Sequence, residues 1–460
     1  MKPQSEIAEG LEPIEEVGTS GLIKAPKPIS TGLRLNIRGR SIYLRGLRLP
    51  PHGIWKWLLI LGPGLIATSA GNDAGGIATY SSAGAKYGYQ LIWVMVVLTV
   101  SYAVVQEMCS RLGAATGRGL LDLVREKFGL GWTLFAVGII VIANGGVTIS
   151  EFVGIGAATE LFGVSKFISV PLAAAILWYL VIFGSYARVE KVFLLMTLVF
   201  FAYPVAAILA KPDWHEVLHG TVVPSVSLDR DYIFIIVGLL GTTMTPYIQV
   251  FQQSSIVERG ASRRRYGPER LDAYFGSIFS NLMSVSMIIA TAATLYVAGQ
   301  TDIATAADAA KALQPVAGSS AMLLFAIGLL GASLLAGGVL PLATSYAISE
   351  AFGIPKGVNL DYRRGRVFFG LFTAFIVLGA ATALVPGIPI FPLLVGIQVL
   401  NGVLLPIILV FILLLINDER LMSSLKNSFT TNILGWVTFA LISAAVVTML
   451  GLQIYGLFAG

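Results

Sequence analysis

The sequence predicts an all-α integral membrane protein: eleven spans, arranged as two inverted five-helix repeats followed by an eleventh helix. Three observations lead there. Of 460 residues, 56% are hydrophobic and only 12% charged, where a soluble domain carries about 25% charged residues. Apolar stretches of the roughly 20 residues needed to cross a bilayer recur eleven times along the chain. The first and sixth of these stretches are interrupted, at corresponding places, by glycine, proline and polar residues.

The stretches fall at 57–87, 89–111, 133–159, 167–186, 191–210, 232–256, 271–298, 320–349, 367–386, 390–416 and 431–456. Span one carries Gly62-Pro63-Gly64 and then breaks between Ser69 and Gly76, where Asp73 stands beside Asn72, Gly75 and Gly76. Span six carries Gly238 and Gly241, then Thr242 to Tyr247. There Pro246 withdraws a helical hydrogen bond and frees the carbonyl of Thr242. Paired interruptions of this kind point to a transporter site at the bilayer midplane. Five being odd, the second repeat (about 231–416) is expected inverted relative to the first (about 55–210), with helix eleven at 431–456 appended. Span eight, with Gly328, Gly331, Gly337 and Gly338, suits close helix packing.

Residues 1–50 are polar and Pro/Gly-punctuated, and are expected to form a disordered tail ahead of a membrane domain at 51–460. No cleavable signal peptide is recognisable there. Arg34, Arg38, Arg40, Arg45 and Arg48 can lie on anionic headgroups, a solvated tail being the alternative. With the N-terminus inside, 26 of the 31 Lys and Arg fall on the cytoplasmic side, the bias expected of a cell-membrane protein with short cytoplasmic loops. Eleven spans then leave the C-terminus extracellular. The net charge of +6 thus reflects topology and a lipid-bilayer partner, with no nucleic acid required. The single cysteine, Cys109, excludes an internal disulfide and a cysteine metal cluster.

Asp73 is the residue with the largest consequence. A carboxylate halfway through a span costs several kcal/mol unless something cationic visits it. An opened backbone supplies carbonyls, with Ala70 and Thr242 the candidates, and Thr245 adds a hydroxyl. Asn72, Gly75 and Gly76 are expected to permit the backbone angles of the break. Such an oxygen site favours Mg2+, Ca2+ or Mn2+ over softer metals. The bland alternative is a kinked helix with a hydrated aspartate.

The stretch Gly62-Pro-Gly-Leu-Ile-Ala-Thr-Ser-Ala-Gly-Asn-Asp-Ala-Gly-Gly-Ile-Ala-Thr79, followed by Ala83-Gly-Ala-Lys-Tyr-Gly-Tyr89, resembles the first helix of the Nramp divalent-metal transporters. Similar stretches follow at Arg111-Leu-Gly-Ala-Ala-Thr-Gly117, Gly241-Thr-Thr-Met-Thr-Pro246, Gln398-Val-Leu and Leu404-Leu-Pro406. The resemblance implies the LeuT-like inverted-repeat fold, import of Mn2+ or Fe2+ usually with protons, no enzymatic activity, no resident cofactor, and function with one subunit. It also implies that Gln398 approaches the ion from span ten.

The chain departs from the family pattern where the ion binds. Asp-Pro-Gly-Asn of the family reads Asp73-Ala74-Gly75-Gly76 here, so the ligand asparagine is Gly76. Met-Pro-His reads Thr245-Pro246-Tyr247, so the thioether becomes a hydroxyl. Losing sulfur removes the preference for softer metals. Losing two side chains is expected to enlarge the site and suit an ion that keeps its water, as Mg2+ does. Register-shifted Met244 would restore sulfur. The family's proton route is also altered: its two span-six histidines correspond to Tyr247 and Gln252, and a span-three carboxylate corresponds to Thr148, three residues before the retained Glu151. Histidine is the side chain best tuned to exchange protons near neutrality. The pattern resembles the Nramp-related magnesium transporters and implies Mg2+ import, with Mn2+ also admitted, by alternating access without proton coupling. A proton-coupled Mn2+/Fe2+ importer is the alternative.

Glu151 bears either on ion passage or on lining a cavity, and Gln398 either on the ion or on a helix–helix hydrogen bond. Glu107 is expected to pair with an inner basic residue. His215-Glu216-Val217-Leu218-His219 has the form of the zinc-protease motif, but Pro212 and Gly220 leave it under two turns of helix and no third histidine lies on that side. A membrane protease is therefore the remote alternative, and an incidental external metal contact at His215 and His219 a nearer one.

Overall fold

The computed structural model describes residues 33–37, 40–44 and 63–459, apart from 262–265, 304–307, 310–320 and 388. The chain divides into two units, Met1–Lys56 and Trp57–Gly460. In the first, β1 (Leu33–Ile37) and β2 (Arg40–Leu44) pair antiparallel, with Leu33 opposite Leu44 and Ile37 opposite Arg40. No strand was expected in this stretch. Leu33, Leu35 and Ile37 alternate with Arg34 and Asn36, a period-two pattern that favours a strand. The remainder of the tail lies outside the described residues.

The second unit is helical. Among the described residues, ten helical stretches are long and apolar enough to cross a membrane, Arg188–Leu209 and Arg230–Glu258 each counting as one despite internal breaks. The broken first span stands before them as two shorter pieces, α1 (Pro63–Ala70) and α2 (Ala74–Tyr87). In order follow α3 (Ile92–Thr116), α4 (Leu120–Glu160), α5 (Lys166–Phe183), α6 (Tyr186–Met196) and α7 (Ala202–Leu209). The short α8 (Trp214–Val222) precedes α9 (Arg230–Thr243), α10 (Pro246–Glu258), α11 (Tyr266–Thr291) and α12 (Ala321–Phe352). Last come α13 (Arg366–Ala383), α14 (Ile390–Ile416), the single turn α15 (Glu419–Met422) and α16 (Phe429–Ala459). Both expected interruptions are present, between α1 and α2 and between α9 and α10.

Local chemistry sets these boundaries. Gly117, in the left-handed region at φ 64°, ends α3. Gly129, at φ 83°, interrupts the long α4. Asp229 starts α9 by accepting from the amides of Asp231 and Tyr232, both at 3.0 Å, and Pro246 occupies the first turn of α10, where its missing amide costs nothing.

Helix α12 packs along α4, α9 against α14, and α11 against α1, α2 and α3. Small residues set the closest approaches. A side chain at Gly241 would overlap the Gln398 carbonyl, and one at Gly402 would overlap that of Val237, so α9 and α14 touch backbone to backbone. Glu107 does pair with Arg111, at 3.1 Å. At the end of the bundle bearing the basic loops, Glu350 of α12 is fully buried. It accepts from Ser254 Oγ of α10 at 2.6 Å and from the Leu121 amide of α4 at 3.1 Å, with Lys356 Nζ 3.8 Å away.

Candidate metal-ion site

The two breaks face each other. Tyr247 at the start of α10 donates its hydroxyl to the Ala70 carbonyl at 2.6 Å, and Thr242 Oγ1 donates to the Gly71 carbonyl at 3.3 Å. Interrupting both helices leaves carbonyls without their intrahelical donors, and each break satisfies part of the other. Asp73, Thr242, Thr245, Tyr247, Glu151 and Gln398 are all 0% exposed, so the site is occluded in this conformation.

Asp73 caps α2. Its Oδ1 accepts from the Gly76 amide at 2.6 Å and from Gln398 Nε2 at 2.9 Å, which are the contacts expected of a carboxylate at a helix N-terminus. Its Oδ2 is buried without a hydrogen-bond partner, as is Thr245 Oγ1. Glu151 belongs to the same N-terminus, its Oε2 accepting from the Ala74 amide at 3.1 Å. Neither carboxylate is in an ion pair among the described residues. Two buried acidic groups without a cationic partner leave charge that an added cation or proton must offset.

Three expectations about individual residues change. Gly75 and Gly76 lie inside α2 with ordinary helical angles, so backbone freedom is not their role. They allow contact instead. A side chain at Gly75 would overlap the Gln398 amide, and a Cβ at Gly76 would stand 2.8 Å from Thr242 Oγ1 and 2.9 Å from the Gly71 carbonyl. The space beside Gly76 is accordingly not open, because Thr242 Oγ1 stands against the position a Cβ would take. Gln398 presents a donor rather than an oxygen to Asp73, since its Oε1 accepts from Asn401 Nδ2 at 3.0 Å.

Two candidates are placed elsewhere. Gln252 donates to Ser110 Oγ of α3 at 2.6 Å. Thr148 returns its hydroxyl to the Asn144 carbonyl at 2.7 Å and packs its methyl against α13 at Gly379. His215 and His219 are exposed on α8, nine residues long rather than the expected two turns or less. No group of three or more His, Cys, Asp or Glu able to hold a metal occurs among the described residues.

Two residues, Asn401 and Asp272, were missed in the sequence, and Asn72, expected to permit the backbone angles of the break, acts instead as an anchor. Asn401 fixes the Gln398 amide. Asn72 donates to the Ser280 carbonyl at 3.1 Å and accepts from Ser284 Oγ at 2.7 Å, holding the first break onto α11. Asp272 of α11 accepts from the amides of Gly64 at 2.6 Å and Leu65 at 3.2 Å, capping α1 from another helix. The spacing of Asp272, Gly276 and Ser280, four residues apart, marks one helix face and was the available signal. Asp272→Ala removes that cap, and a loss of about 1–2 kcal/mol is expected. A thermal melt in detergent would read it as a lowered midpoint; an unchanged midpoint would mean that water replaces the carboxylate.

Residues 64–452 match the family described as natural resistance-associated macrophage protein-like, Nramp. The divalent metal cation transporter MntH of Yersinia pestis (strain Pestoides F) is 28% identical over 390 residues, 82% of this chain and 91% of that protein. Its counterpart from Ralstonia nicotianae is 29% identical over 423 residues, 86% and 92% of the two chains. Among solved structures, the Eremococcus coleocola manganese transporter in complex with an aromatic bis-isothiourea substituted compound superposes with a TM-score of 0.69 at 18% identity, over 89% of both chains. MhsT in complex with L-phenylalanine gives 0.57 at 16% identity, over 85% of this chain and 97% of that one. At these identities the structures establish the fold, and the all-α, LeuT-like expectation holds.

Proposed function

We propose, from the premise that this chain belongs to the Nramp family, that it is a divalent metal cation transporter whose substrate is Mg2+, with Mn2+ also admitted. The relatives named above as divalent metal cation transporters support the general class. The observation that carries the finer reading is the donor set. Asp73 Oδ2 and Thr245 Oγ1 are buried, unpartnered oxygens at facing breaks. Oxygen donors with a single formal charge suit a hard cation that retains water. Alternating access admits that water when the helices separate.

Transport without protons is the second part of the reading. A divalent cation moving into a compartment 100 mV negative gains about 4.6 kcal/mol, twice the roughly 2.3 per charge. That supports more than three decades of accumulation, at about 1.4 kcal/mol per decade. Tyr247 and Gln252, the residues at the family's histidine positions, are engaged in neutral hydrogen bonds to Ala70 and Ser110. The orientation that places the basic loops in the cytoplasm, the N-terminus inside and the C-terminus outside belongs to the same proposal.

The test is reconstitution in liposomes with dyes for Mg2+, Mn2+ and pH read in parallel. Mg2+ uptake that follows membrane potential, with no change in lumenal pH, is the expected result. Mn2+ uptake with acidification and no Mg2+ signal would establish the proton-coupled alternative instead.

A further inference from the structure

A cavity lies away from the helix breaks, between α5, α6, α4 and α12. Its volume is about 910 Å3, within the roughly 300–1,000 Å3 typical of ligand pockets. Its walls are almost wholly apolar: Leu172, Ile176 and Leu177 of α5, Met196 of α6 and Leu334 of α12 line it. The outer face of α5 beside it is open, with Ile168 65% and Leu172 58% exposed. At membrane depth such a cleft is bathed by acyl chains rather than water.

One end of the cavity is charged. Arg188, in the first turn of α6, lines it and is exposed. Glu190, the nearest carboxylate in sequence, faces Arg259 at 3.8 Å, and no ion pair to Arg188 occurs among the described residues. An unpaired guanidinium at the mouth of an apolar, bilayer-facing cleft has the polarity of a phospholipid: phosphate at one end, hydrocarbon at the other.

We infer that this cleft binds one anionic phospholipid, its phosphate on Arg188 and an acyl chain along α5. The depth of the cleft gives the lipid a connection to the ion site. Leu177 forms its inner wall and packs on Gly337 of α12, whose other neighbour is Glu151. The bound chain thus completes the apolar packing behind the carboxylate that shares the α2 N-terminus with Asp73.

Native mass spectrometry of the full chain tests this, after exchange into detergent micelles doped with phosphatidylglycerol or phosphatidylcholine. One retained phosphatidylglycerol is expected, and weaker retention of phosphatidylcholine. Arg188→Gln, a surface change that leaves packing intact, should weaken phosphatidylglycerol retention about fivefold, equivalent to the roughly 1 kcal/mol that one basic side chain contributes near anionic lipid. Ala173→Phe fills the cleft and should abolish retention of both. Equal retention of the two lipids, or of phosphatidylglycerol by Arg188→Gln, overturns the headgroup assignment. Undiminished retention by Ala173→Phe, or a retained species that is not a phospholipid, overturns the cleft as a lipid site.

Discussion

Asp73→Ala is expected to lower divalent-cation flux at least 100-fold while the protein still folds. The magnitude follows from what the residue supplies. Changing even the outer-shell partners of a metal ligand costs about 10–100-fold, and among the described residues Asp73 is the sole carboxylate at the two breaks with an unpartnered oxygen. Folding is spared because burying an uncompensated carboxylate is itself unfavourable. Its removal forfeits two accepted hydrogen bonds, from Gly76 and Gln398, but relieves that cost. Flux into liposomes, measured beside gel-filtration and thermal-melt controls, separates the two effects. Retained flux in a well-folded variant would move the site to Glu151.

Gly76→Asn has the second largest expected effect, and its direction is opposite to what the family pattern alone suggests. Restoring the asparagine could be expected to restore Mn2+ preference. The structure predicts instead that Mg2+ and Mn2+ flux both fall about tenfold or more. The first atom of any side chain at 76 meets Thr242 Oγ1 at 2.8 Å and the Gly71 carbonyl at 2.9 Å. Backbone cannot yield as a flexible side chain does, and overpacking of this kind costs about 1–3 kcal/mol. That cost falls on the contact between the two breaks. Gly76→Ala isolates the steric part, because it adds the Cβ without an amide, and should reproduce most of the loss. Enhanced Mn2+ flux in Gly76→Asn would show that the breaks part easily and that position 76 is a free ligand position.

Much of this was legible in the sequence, for identifiable reasons. A charge inside an apolar run is conspicuous without any knowledge of its neighbours, so Asp73 and Glu151 were found. Proline and glycine act on their own backbone, so the breaks near Asp73 and Pro246 were found too. What escaped depends on partners far away in the chain. Asn72 and Ser280, like Asp272 and Gly64, are 208 residues apart, and no local pattern specifies such pairs. Gly75 and Gly76 were noticed but misread, because a glycine needed for close approach and one needed for backbone freedom look alike until the neighbour is seen. Gln252 and Thr148 were assigned by correspondence with a family pattern, and packing gave them to Ser110 and to their own helix.

Glu350 has a consequence for how the basic-loop end of the bundle opens. A single buried carboxylate is shared by Ser254 of α10 and the first turn of α4, with Lys356 close by. Pulling any one of these away leaves the others facing a charge with fewer donors in a dry interior, so the remaining contacts weaken together. Separation at that end is therefore expected to be cooperative, the contacts of this clasp giving way together.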